Sequence, residues 1–416
     1  MANPLPVTKA ERVGMSAERL DRITQMTQKY VDEGKLAGAI TMVARDGKLV
    51  HFEAVGNKGV ADPRPLEKDD LFRIYSMTKP ITATAAMQLY EQGEFHMNDP
   101  VHKFIPEFKD LMVLNADGEQ VSVKNHMTMQ QLLSHTAGMS YGFDPLNDPV
   151  DKLYMEANLW DHEDLDSFIK TVSKLPLKFE PGNAWNYSIA VDVTGAVVER
   201  ISGQSFDEYL QEHIFDPLDM DDTFFQVPAD KKARFLPNNY WDPQNNKLVA
   251  MDAELLVQTG ALLPGASKKS AMFNFDEVSL YSGGGGLVSS AMDYLKFAEM
   301  MRNGGELGGV RILGEKTVKY MAKNHLAASN SVSIPGEHGL GTGFGLGFGV
   351  IADTVNTGVL GSNGEFSWGG AAGTIFWIDP VEELVVVGMI QLMGSPWTLR
   401  SDLKVATYQA ITDSYD

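Results

Sequence analysis

Residues 71–86 read LFRIYSMTKPITATAA, and this stretch contains the features that decide the fold. An apolar run typical of a strand leads into Ser76, and Lys79 follows at the start of a small, apolar helix. Pro80 falls in the first helical turn, where the missing N–H is tolerated. Because residues i and i+3 share one face of a helix, the amine of Lys79 can reach the Ser76 oxygen.

The Ser-x-x-Lys spacing at Ser76 and Lys79 fits a nucleophile with its own base. A serine hydroxyl reacts poorly unless a neighbouring group takes its proton. A lysine does so near neutral pH when it is partly desolvated or coupled to other charges. The helix that follows is small and apolar, which predicts burial, and a buried lysine must be paired or functional. The helix N-terminus also supplies N–H groups for a developing oxyanion.

Other serines match similar patterns with weaker context. Segments 167–170 and 401–404 repeat the Ser-x-x-Lys spacing, but both fall inside predicted helices, where solvated polar residues explain them. Residues 138–142 match Gly-x-Ser-x-Gly around Ser140, a pattern that needs a strand before it and a helix after it. Here a helical pattern precedes the motif and a proline-containing segment follows, so we expect Ser140 to lie in a turn.

The two ends of the chain share a helix-and-hairpin pattern that the middle lacks. Strands are predicted at Ala39–Arg45, Lys48–Val55, Gly373–Ile378 and Leu384–Ile390, with Asp46-Gly47 as a tight turn. Hairpins rather than βαβ units indicate an α+β fold with an antiparallel sheet. We therefore predict an α/β domain formed by residues 1–94 plus 281–416, with a mainly helical domain inserted at 95–280.

Composition excludes several classes of function. The net charge of −20 disfavours nucleic acids and anionic membrane surfaces as partners. The absence of cysteine excludes disulfides and thiolate nucleophiles. The N-terminus has no apolar stretch of secretory type, and no run of about 18 apolar residues occurs, so we expect a cytoplasmic protein that does not span a membrane. No His-Glu-x-x-His spacing and no carboxylate cluster indicate a metal.

Four segments in this order carry a family resemblance: Ser76–Lys79, Leu132–Gly138, Pro181–Ser188 and Gly283–Ser290. They resemble motifs of the serine β-lactamase and penicillin-binding-protein superfamily, and within it those of class C-type enzymes and family VIII carboxylesterases. The resemblance extends from about residue 16 to 411. It implies a β-lactamase-like fold, with helices flanking the antiparallel sheet and a mainly helical inserted domain.

Two departures from the β-lactamase pattern bear on the substrate. Those enzymes carry Tyr-x-Asn, whereas Ile189 here follows two residues after Tyr187. They also carry a Lys-Thr-Gly-like triplet, whereas this chain has Trp368, Gly369 and Gly370 at the matching place. The lysine supplies positive charge for a substrate carboxylate, which a tryptophan cannot do. Tyr-Ser and Trp-Gly-Gly are found in family VIII esterases, so the resemblance implies esters with neutral acyl groups.

The resemblance also implies roles for single residues. Lys79 and Tyr187 would share the role of base for Ser76. A tyrosine has a reference pKa near 10, so the ammonium of Lys79 would have to lower the pKa of Tyr187 for it to act near neutral pH. His135, in the Leu-Leu-x-His-Thr-x-Gly segment, would be structural rather than catalytic.

The oxyanion hole of the family pairs the nucleophile's N–H with one from the strand beside the site. The resemblance assigns the first donor to Ser76 and the second to Ala371, with Trp368 and Gly370 as alternatives. Glycines such as Gly369 and Gly370 would let a substrate lie along the strand edge.

These observations predict a serine carboxylesterase that hydrolyses small-molecule, short-chain acyl esters through a Ser76 acyl-enzyme, with weak β-lactamase activity as a possible side reaction. No metal and no organic cofactor are expected. The alternatives are a β-lactamase or DD-peptidase, an acyltransferase (transesterase) of the same fold, and a penicillin-binding-like ligand sensor without turnover. The presence of Ser76, Lys79 and Tyr187 together argues against the sensor.

Overall fold

The structure, a computed structural model, describes residues 5–115, 117–251, 255, 274–327, 332 and 339–416. The strands within these ranges are β1 (Gly38–Arg45), β2 (Lys48–Gly59), β3 (Asp62–Pro65), β4 (Leu71–Arg73), β5 (Met112–Leu114), β6 (Gln120–Ser122), β7 (Asn239–Asp242), β8 (Lys247–Ala250), β9 (Val288–Ser290), β10 (Glu306–Leu307), β11 (Val310–Arg311), β12 (Thr342–Phe344), β13 (Gly349–Ile351), β14 (Phe366–Gly369), β15 (Ile375–Asp379), β16 (Leu384–Met389) and β17 (Leu392–Met393). The α-helices are α1 (Ala17–Asp32), α2 (Thr78–Glu91), α3 (Met129–Leu133), α4 (Pro149–Glu156), α5 (Leu165–Val172), α6 (Ala190–Ser202), α7 (Phe206–Leu210), α8 (Ala291–Arg302), α9 (Glu315–Met321), α10 (Thr354–Thr357) and α11 (Leu399–Tyr408).

An eight-stranded sheet forms the centre of the fold. Its strand order is β12-β13-β14-β15-β16-β1-β2-β3, and its neighbouring strands are antiparallel. Strand β1, from the N-terminal part, pairs with β16, from the C-terminal part, so both ends of the chain build one sheet. The predicted α+β class and the antiparallel sheet are confirmed.

The hairpin of β1 and β2 follows from its turn residues. Asp46 and Gly47 both have positive φ, 53° and 67°, the conformation that a two-residue hairpin turn requires. The predicted hairpin is therefore confirmed, although β2 extends four residues beyond the predicted end at Val55. The second hairpin, β15 and β16, is confirmed as well, but β15 begins at Ile375 rather than Gly373.

The sheet is covered on both faces, as the period-two alternation of its side chains requires. Met42 and Val387 belong to the main core, on the side of the sheet where Tyr294 of α8 packs 4.9 Å from the ring of Phe376. Their neighbours on the same strands belong to a second core, which also contains residues of α1 and α11. Burial on both faces explains why the strands near the centre are almost continuously apolar.

Helix α2 lies in the interior, with eleven of its fourteen residues buried. It follows the short pair of β4 and β9, in which Arg73 lies opposite Val288. Between residues 95 and 280 the described elements are α3 to α7 and the small hairpins β5–β6 and β7–β8. The division into 1–94 plus 281–416 and 95–280 stays a prediction, and the inserted part includes residues 256–273, which lie outside the described ones. Among the described helices, none has the length and apolarity to cross a bilayer.

Candidate active site

Ser76 lies in a one-turn 3-10 helix, Tyr75–Met77, between β4 and α2. The preceding residue, Tyr75, has φ 43°, a left-handed conformation that is strained for a bulky side chain. Burial of Tyr75 and a 2.9 Å hydrogen bond from Asn238 Nδ2 to its hydroxyl hold this conformation. The turn leaves Ser76 half-buried in the first turn of the helix, where its N–H has no intrahelical acceptor.

Lys79 is fully buried and hydrogen-bonded to the Ser76 hydroxyl. Its Nζ lies 3.0 Å from Ser76 Oγ and donates to the carbonyl oxygen of Gly284 at 2.6 Å. Both partners are neutral oxygens, so neither bond is an ion pair. The structure thus brings the predicted serine and lysine within proton-transfer distance, as the i, i+3 spacing required.

Tyr187 stands over the same amine, just before helix α6. Lys79 Nζ lies 4.6 Å from the centre of the Tyr187 ring, and the Tyr187 hydroxyl accepts a 3.2 Å hydrogen bond from Trp368 Nε1. One site therefore contains Ser76, Lys79, Tyr187 and Trp368, although Ser76 and Trp368 lie 292 positions apart in the sequence.

The strand beside the site narrows the choice of the second oxyanion donor. The Gly370 N–H donates to the Thr374 carbonyl at 2.8 Å. Because residues two apart on a strand direct their N–H groups to the same side, the Trp368 N–H also faces β15. The N–H groups of Trp368 and Gly370 are therefore already used in hydrogen bonds to the neighbouring strand and the residue just before it. Ala371 is exposed in the following turn, and among the described residues no acceptor binds its N–H.

The glycines of this strand lie close to other protein groups, and their role in letting a substrate lie along the strand edge stays a prediction. A Cβ on Gly370 would lie 2.5 Å from the Ile74 carbonyl, in the segment that carries the nucleophile. A Cβ on Gly369 would lie 2.7 Å from the Arg400 guanidinium. Arg400 in turn donates from Nη2 to the carbonyl oxygens of Gly370, at 2.8 Å, and Thr374, at 3.3 Å. Arg400 therefore fixes the turn that presents the Ala371 N–H.

A buried carboxylate, Asp192, lies behind Lys79. Asp192 Oδ1 accepts hydrogen bonds from Ser282 Oγ at 2.5 Å and from the Gly284 N–H at 2.9 Å. Burial raises the pKa of Asp192, while the charge of Lys79 and these hydrogen bonds act in the opposite direction. The Gly284 peptide thus joins the two groups, since its N–H binds Asp192 and its carbonyl binds Lys79. Asp192 can position this peptide and stabilise a proton on the amine.

A second tyrosine, Tyr141, flanks Lys79 on another side. Its ring centre lies 5.1 Å from Lys79 Nζ, and its hydroxyl donates to Asp192 Oδ2 at 3.4 Å. Burial, followed by the charge of Asp192, raises the pKa of Tyr141 well above its usual value near 10. Tyr141 is therefore held in its protonated form, hydrogen-bonded to Asp192.

His135 occupies the position expected of a structural residue. It is fully buried, its Nδ1 lies 3.2 Å from Ser188 Oγ, and its ring packs edge-on against Tyr187 with centres 4.9 Å apart. Burial, and secondly the charge of Lys79, lowers the pKa of His135 well below 6.5, so the ring is neutral. His135 supports Tyr187 from behind and has no contact with the Ser76 hydroxyl.

The competing serines have partners other than Lys79. Ser140 is buried in a segment without regular secondary structure, and its hydroxyl donates to Asp151 at 2.5 Å. Ser167 lies in the first turn of α5, where its N–H binds the capping Asp164. The segment 401–404 lies in α11, but one part of the expectation was wrong, because Lys404 is half-buried and paired with the buried Glu365 instead of being solvated.

One cluster of carboxylates that could hold a cation occurs among the described residues. Glu67, Asp69 and Asp70 could present oxygens to one cation. However, Lys58 Nζ lies 2.5 Å from Asp70 Oδ1 and 3.2 Å from Glu67 Oε2, and Arg234 Nε lies 3.1 Å from Asp69 Oδ2. Each carboxylate thus already has a cationic side chain as a partner, so the cluster does not indicate a metal site.

Three residues of the site were not predicted from the sequence, namely Asp192, Tyr141 and Arg400. A signal existed for Asp192, which is the only charged residue in the apolar first half of α6. Nothing in the sequence distinguished Tyr141 or Arg400, because their partners lie 51 and 30 positions away, respectively.

Comparison with known proteins gives a consistent result. A family model described as Beta-lactamase matches residues 23–410. Esterase EstB from Burkholderia gladioli is 32% identical over 368 residues, which cover 87% of each protein. The solved structure of EstCE1, a hydrolase with promiscuous acyltransferase activity, has a TM-score of 0.79 and 25% identity, covering 94% of this chain and 99% of that one.

A solved family VIII carboxylesterase shares the fold. Its TM-score is 0.70 at 21% identity, and the match covers 95% of this chain and 99% of that one. Together with the relatives above, it confirms the resemblance expected from the motifs and the β-lactamase-like fold.

Proposed function

The chain belongs to the Beta-lactamase family, and from that premise we propose that it is a serine hydrolase that cleaves carboxylic esters through an acyl-enzyme on Ser76. One observation carries the proposal, namely the 3.0 Å contact between Ser76 Oγ and the fully buried Lys79 Nζ. A buried amine bonded to a serine hydroxyl is the arrangement that activates a nucleophile.

In the proposed reaction, Ser76 Oγ attacks the ester carbonyl and its proton passes to Lys79 or Tyr187. The carbonyl oxygen becomes negative between the N–H groups of Ser76 and Ala371. When the carbon–oxygen bond to the alcohol breaks, the proton passes to the departing alcohol. Water then adds to the acyl-enzyme with the same residues as base, which releases the acid and restores the Ser76 hydroxyl.

The substrate class follows from the wall of the site and from the relatives. Trp368 stands where β-lactamases of this type carry a lysine for the substrate carboxylate, which favours neutral acyl groups. The similarity to esterase EstB supports ester cleavage. We propose short-chain acyl esters as substrates, with β-lactam hydrolysis as a weak side reaction.

Acyl transfer to an alcohol is the second candidate function. The similarity to EstCE1, a hydrolase with promiscuous acyltransferase activity, favours it. The rings of Tyr141 and Trp368 beside Tyr187 add apolar surface on which an alcohol could compete with water. The absence of nucleic-acid and membrane partners stays a prediction, supported by the net charge. A cytoplasmic location stays a prediction as well.

Mass spectrometry after treatment with a serine-reactive phosphonate tests the nucleophile. We expect one adduct, on Ser76, and no adduct on the Ser76→Ala variant. The variant should also lose hydrolysis of a short-chain aryl ester. An adduct on Ser140, or turnover that survives Ser76→Ala, would refute the proposal.

A substrate panel distinguishes the candidate functions. The wild-type protein is given a short-chain ester alone, the ester with an added alcohol, and nitrocefin. Ester hydrolysis that exceeds nitrocefin hydrolysis supports the esterase. Faster formation of a new ester than of the acid favours the acyltransferase, and efficient nitrocefin hydrolysis favours a β-lactamase. Phosphonate labelling of Ser76 with no turnover of any substrate would favour the ligand sensor.

A further inference from the structure

Phe143 is a large apolar side chain that stands exposed at the catalytic tyrosine. Its side chain is 61% exposed. Its ring lies nearly parallel to that of Tyr141, at an angle of 27° with ring centres 5.3 Å apart. It also lies nearly parallel to the ring of Tyr187, at 29° with centres 6.4 Å apart. Leaving a phenyl ring in water sacrifices the free energy that its burial would provide. An exposed aromatic face beside a reactive centre is typical of a ligand-binding surface.

The other rings around Tyr187 have less free surface. Trp185 is 8% exposed and lies nearly parallel to Tyr187, at 15° with centres 6.2 Å apart. His135 is fully buried, and Tyr141 and Trp368 are half-buried. Among the described rings that contact Tyr187, Phe143 is therefore the one whose surface is mainly open to solvent.

The loop that carries Phe143 is held in place by a buried carboxylate. Asp151, which is 3% exposed, accepts hydrogen bonds from Ser140 Oγ at 2.5 Å, Lys178 Nζ at 2.8 Å and the Asp144 N–H at 3.0 Å. Two of these donors flank Phe143 in the sequence. The ring is therefore presented by anchored backbone on both sides, and a fixed ring loses less conformational entropy when a ligand stacks on it.

We propose that Phe143 is a specificity residue that binds a planar apolar group on the alcohol side of the ester. This inference rests on the proposed esterase function. The leaving oxygen must come within hydrogen-bonding distance of Lys79 or Tyr187 to receive its proton, so the group on that oxygen extends on the Tyr187 side, where Phe143 stands. The favoured substrate class is then a neutral ester of an aryl-bearing alcohol, since the net charge of −20 disfavours anions.

Three esters that differ in the presence or position of one phenyl ring test the proposal. 2-Phenylethyl acetate carries the ring on the alcohol, ethyl 3-phenylpropanoate carries it on the acyl group, and ethyl acetate has no ring. The ratio of kcat/KM for 2-phenylethyl acetate to that for ethyl acetate is measured for the wild type, Phe143→Ala and Phe143→Leu. Leu146→Ala is the matched control, because Leu146 is 93% exposed on the same loop.

We expect Phe143→Ala to lower this ratio about tenfold by raising the KM for 2-phenylethyl acetate. A tenfold change matches the binding free energy of one aromatic stacking contact together with the apolar area that the contact covers. Phe143→Leu should lower it about threefold, and Leu146→Ala should leave it unchanged. An unchanged ratio in Phe143→Ala, or an equal fall in Leu146→Ala, would overturn the role of the ring. A fall confined to ethyl 3-phenylpropanoate would overturn the placement on the alcohol side. If the esterase proposal itself fails, the wild type hydrolyses none of the three esters.

Discussion

Two clusters in this protein each contain a serine, a lysine and an aspartate, but they differ in which of these side chains are hydrogen-bonded to each other. At one, Ser76 Oγ is bound to Lys79 at 3.0 Å, and no carboxylate of the described residues touches either group. At the other, Ser140 Oγ donates to Asp151 at 2.5 Å, and Lys178 Nζ binds the same carboxylate at 2.8 Å. A serine, a lysine and an aspartate are therefore not sufficient for a nucleophile.

The difference lies in what the lysine binds. Burial alone would lower the pKa of Lys178, but its hydrogen bonds to Asp151 and Asp148 raise it above the usual value, so this lysine stays a cation. Lys79 instead binds the Ser76 hydroxyl and the Gly284 carbonyl, and its carboxylate, Asp192, is held one peptide away. A lysine that binds neutral oxygens can exchange a proton, whereas one locked in an ion pair cannot do so readily.

The two lysines should give opposite results when their charge is removed. Lys79→Met is expected to lower kcat/KM for a short-chain ester about 10³-fold, since it removes the acid–base group. Lys178→Met should keep the activity but lower the free energy of unfolding by about 3 kcal/mol, because it leaves the buried Asp151 without its cation. Steady-state kinetics and urea unfolding measure the two effects. Equal losses of activity in both variants would remove the distinction.

The aspartates behind the lysines provide the next test. Asp192→Asn keeps an acceptor for Ser282 and Gly284 but removes the charge near Lys79, so we expect kcat to fall about 30-fold with little change in KM. Asp151→Asn, the matched control, should retain kcat and unfold at a lower denaturant concentration. If Asp192→Asn retains kcat, the carboxylate only fills space, and the connection through Gly284 has no catalytic effect.

Ser140→Ala tests the structural role of the second cluster. The variant should lose about 1.5 kcal/mol of stability, because the Asp151 carboxylate loses one hydrogen-bond donor. Its kcat/KM should equal that of the wild type, and phosphonate should still label Ser76. Calorimetry and labelling provide the measurements, and a large loss of activity in the folded variant would contradict this assignment.

The smallest expected effect concerns the hydrogen bond to Tyr187, the tyrosine that we propose as a base. Trp368→Phe keeps a ring beside Tyr187 but removes the 3.2 Å donor to its oxygen. One lost hydrogen bond corresponds to about 1 kcal/mol, or about a fivefold fall in kcat/KM. Trp397→Phe is the control, since this half-buried tryptophan packs on Trp241 elsewhere in the fold. An identical change in both variants would mean that the indole N–H of Trp368 plays no specific part.

Local patterns predicted much of the fold. The hairpins were predictable because Asp46-Gly47 tolerates the positive φ of a two-residue turn and because apolar residues mark the strands on either side. Sequence patterns could not give the order of the strands, since the pairing of β1 with β16 joins segments more than 300 residues apart. Such pairing depends on the packing of the whole chain.

For the site, the sequence by itself determined the pair of Ser76 and Lys79, because the geometry of a helix start places residues i and i+3 side by side. The family resemblance added Tyr187 and the strand at Trp368. It favoured Ala371 as the second oxyanion donor but left Trp368 and Gly370 as alternatives. Only the tertiary structure decided that the Gly370 N–H binds the Thr374 carbonyl, whereas the Ala371 N–H has no acceptor among the described residues. It also decided which serine binds a lysine directly and which binds a carboxylate, because the position of Asp192 and Asp151 relative to each amine depends on the packing of distant segments.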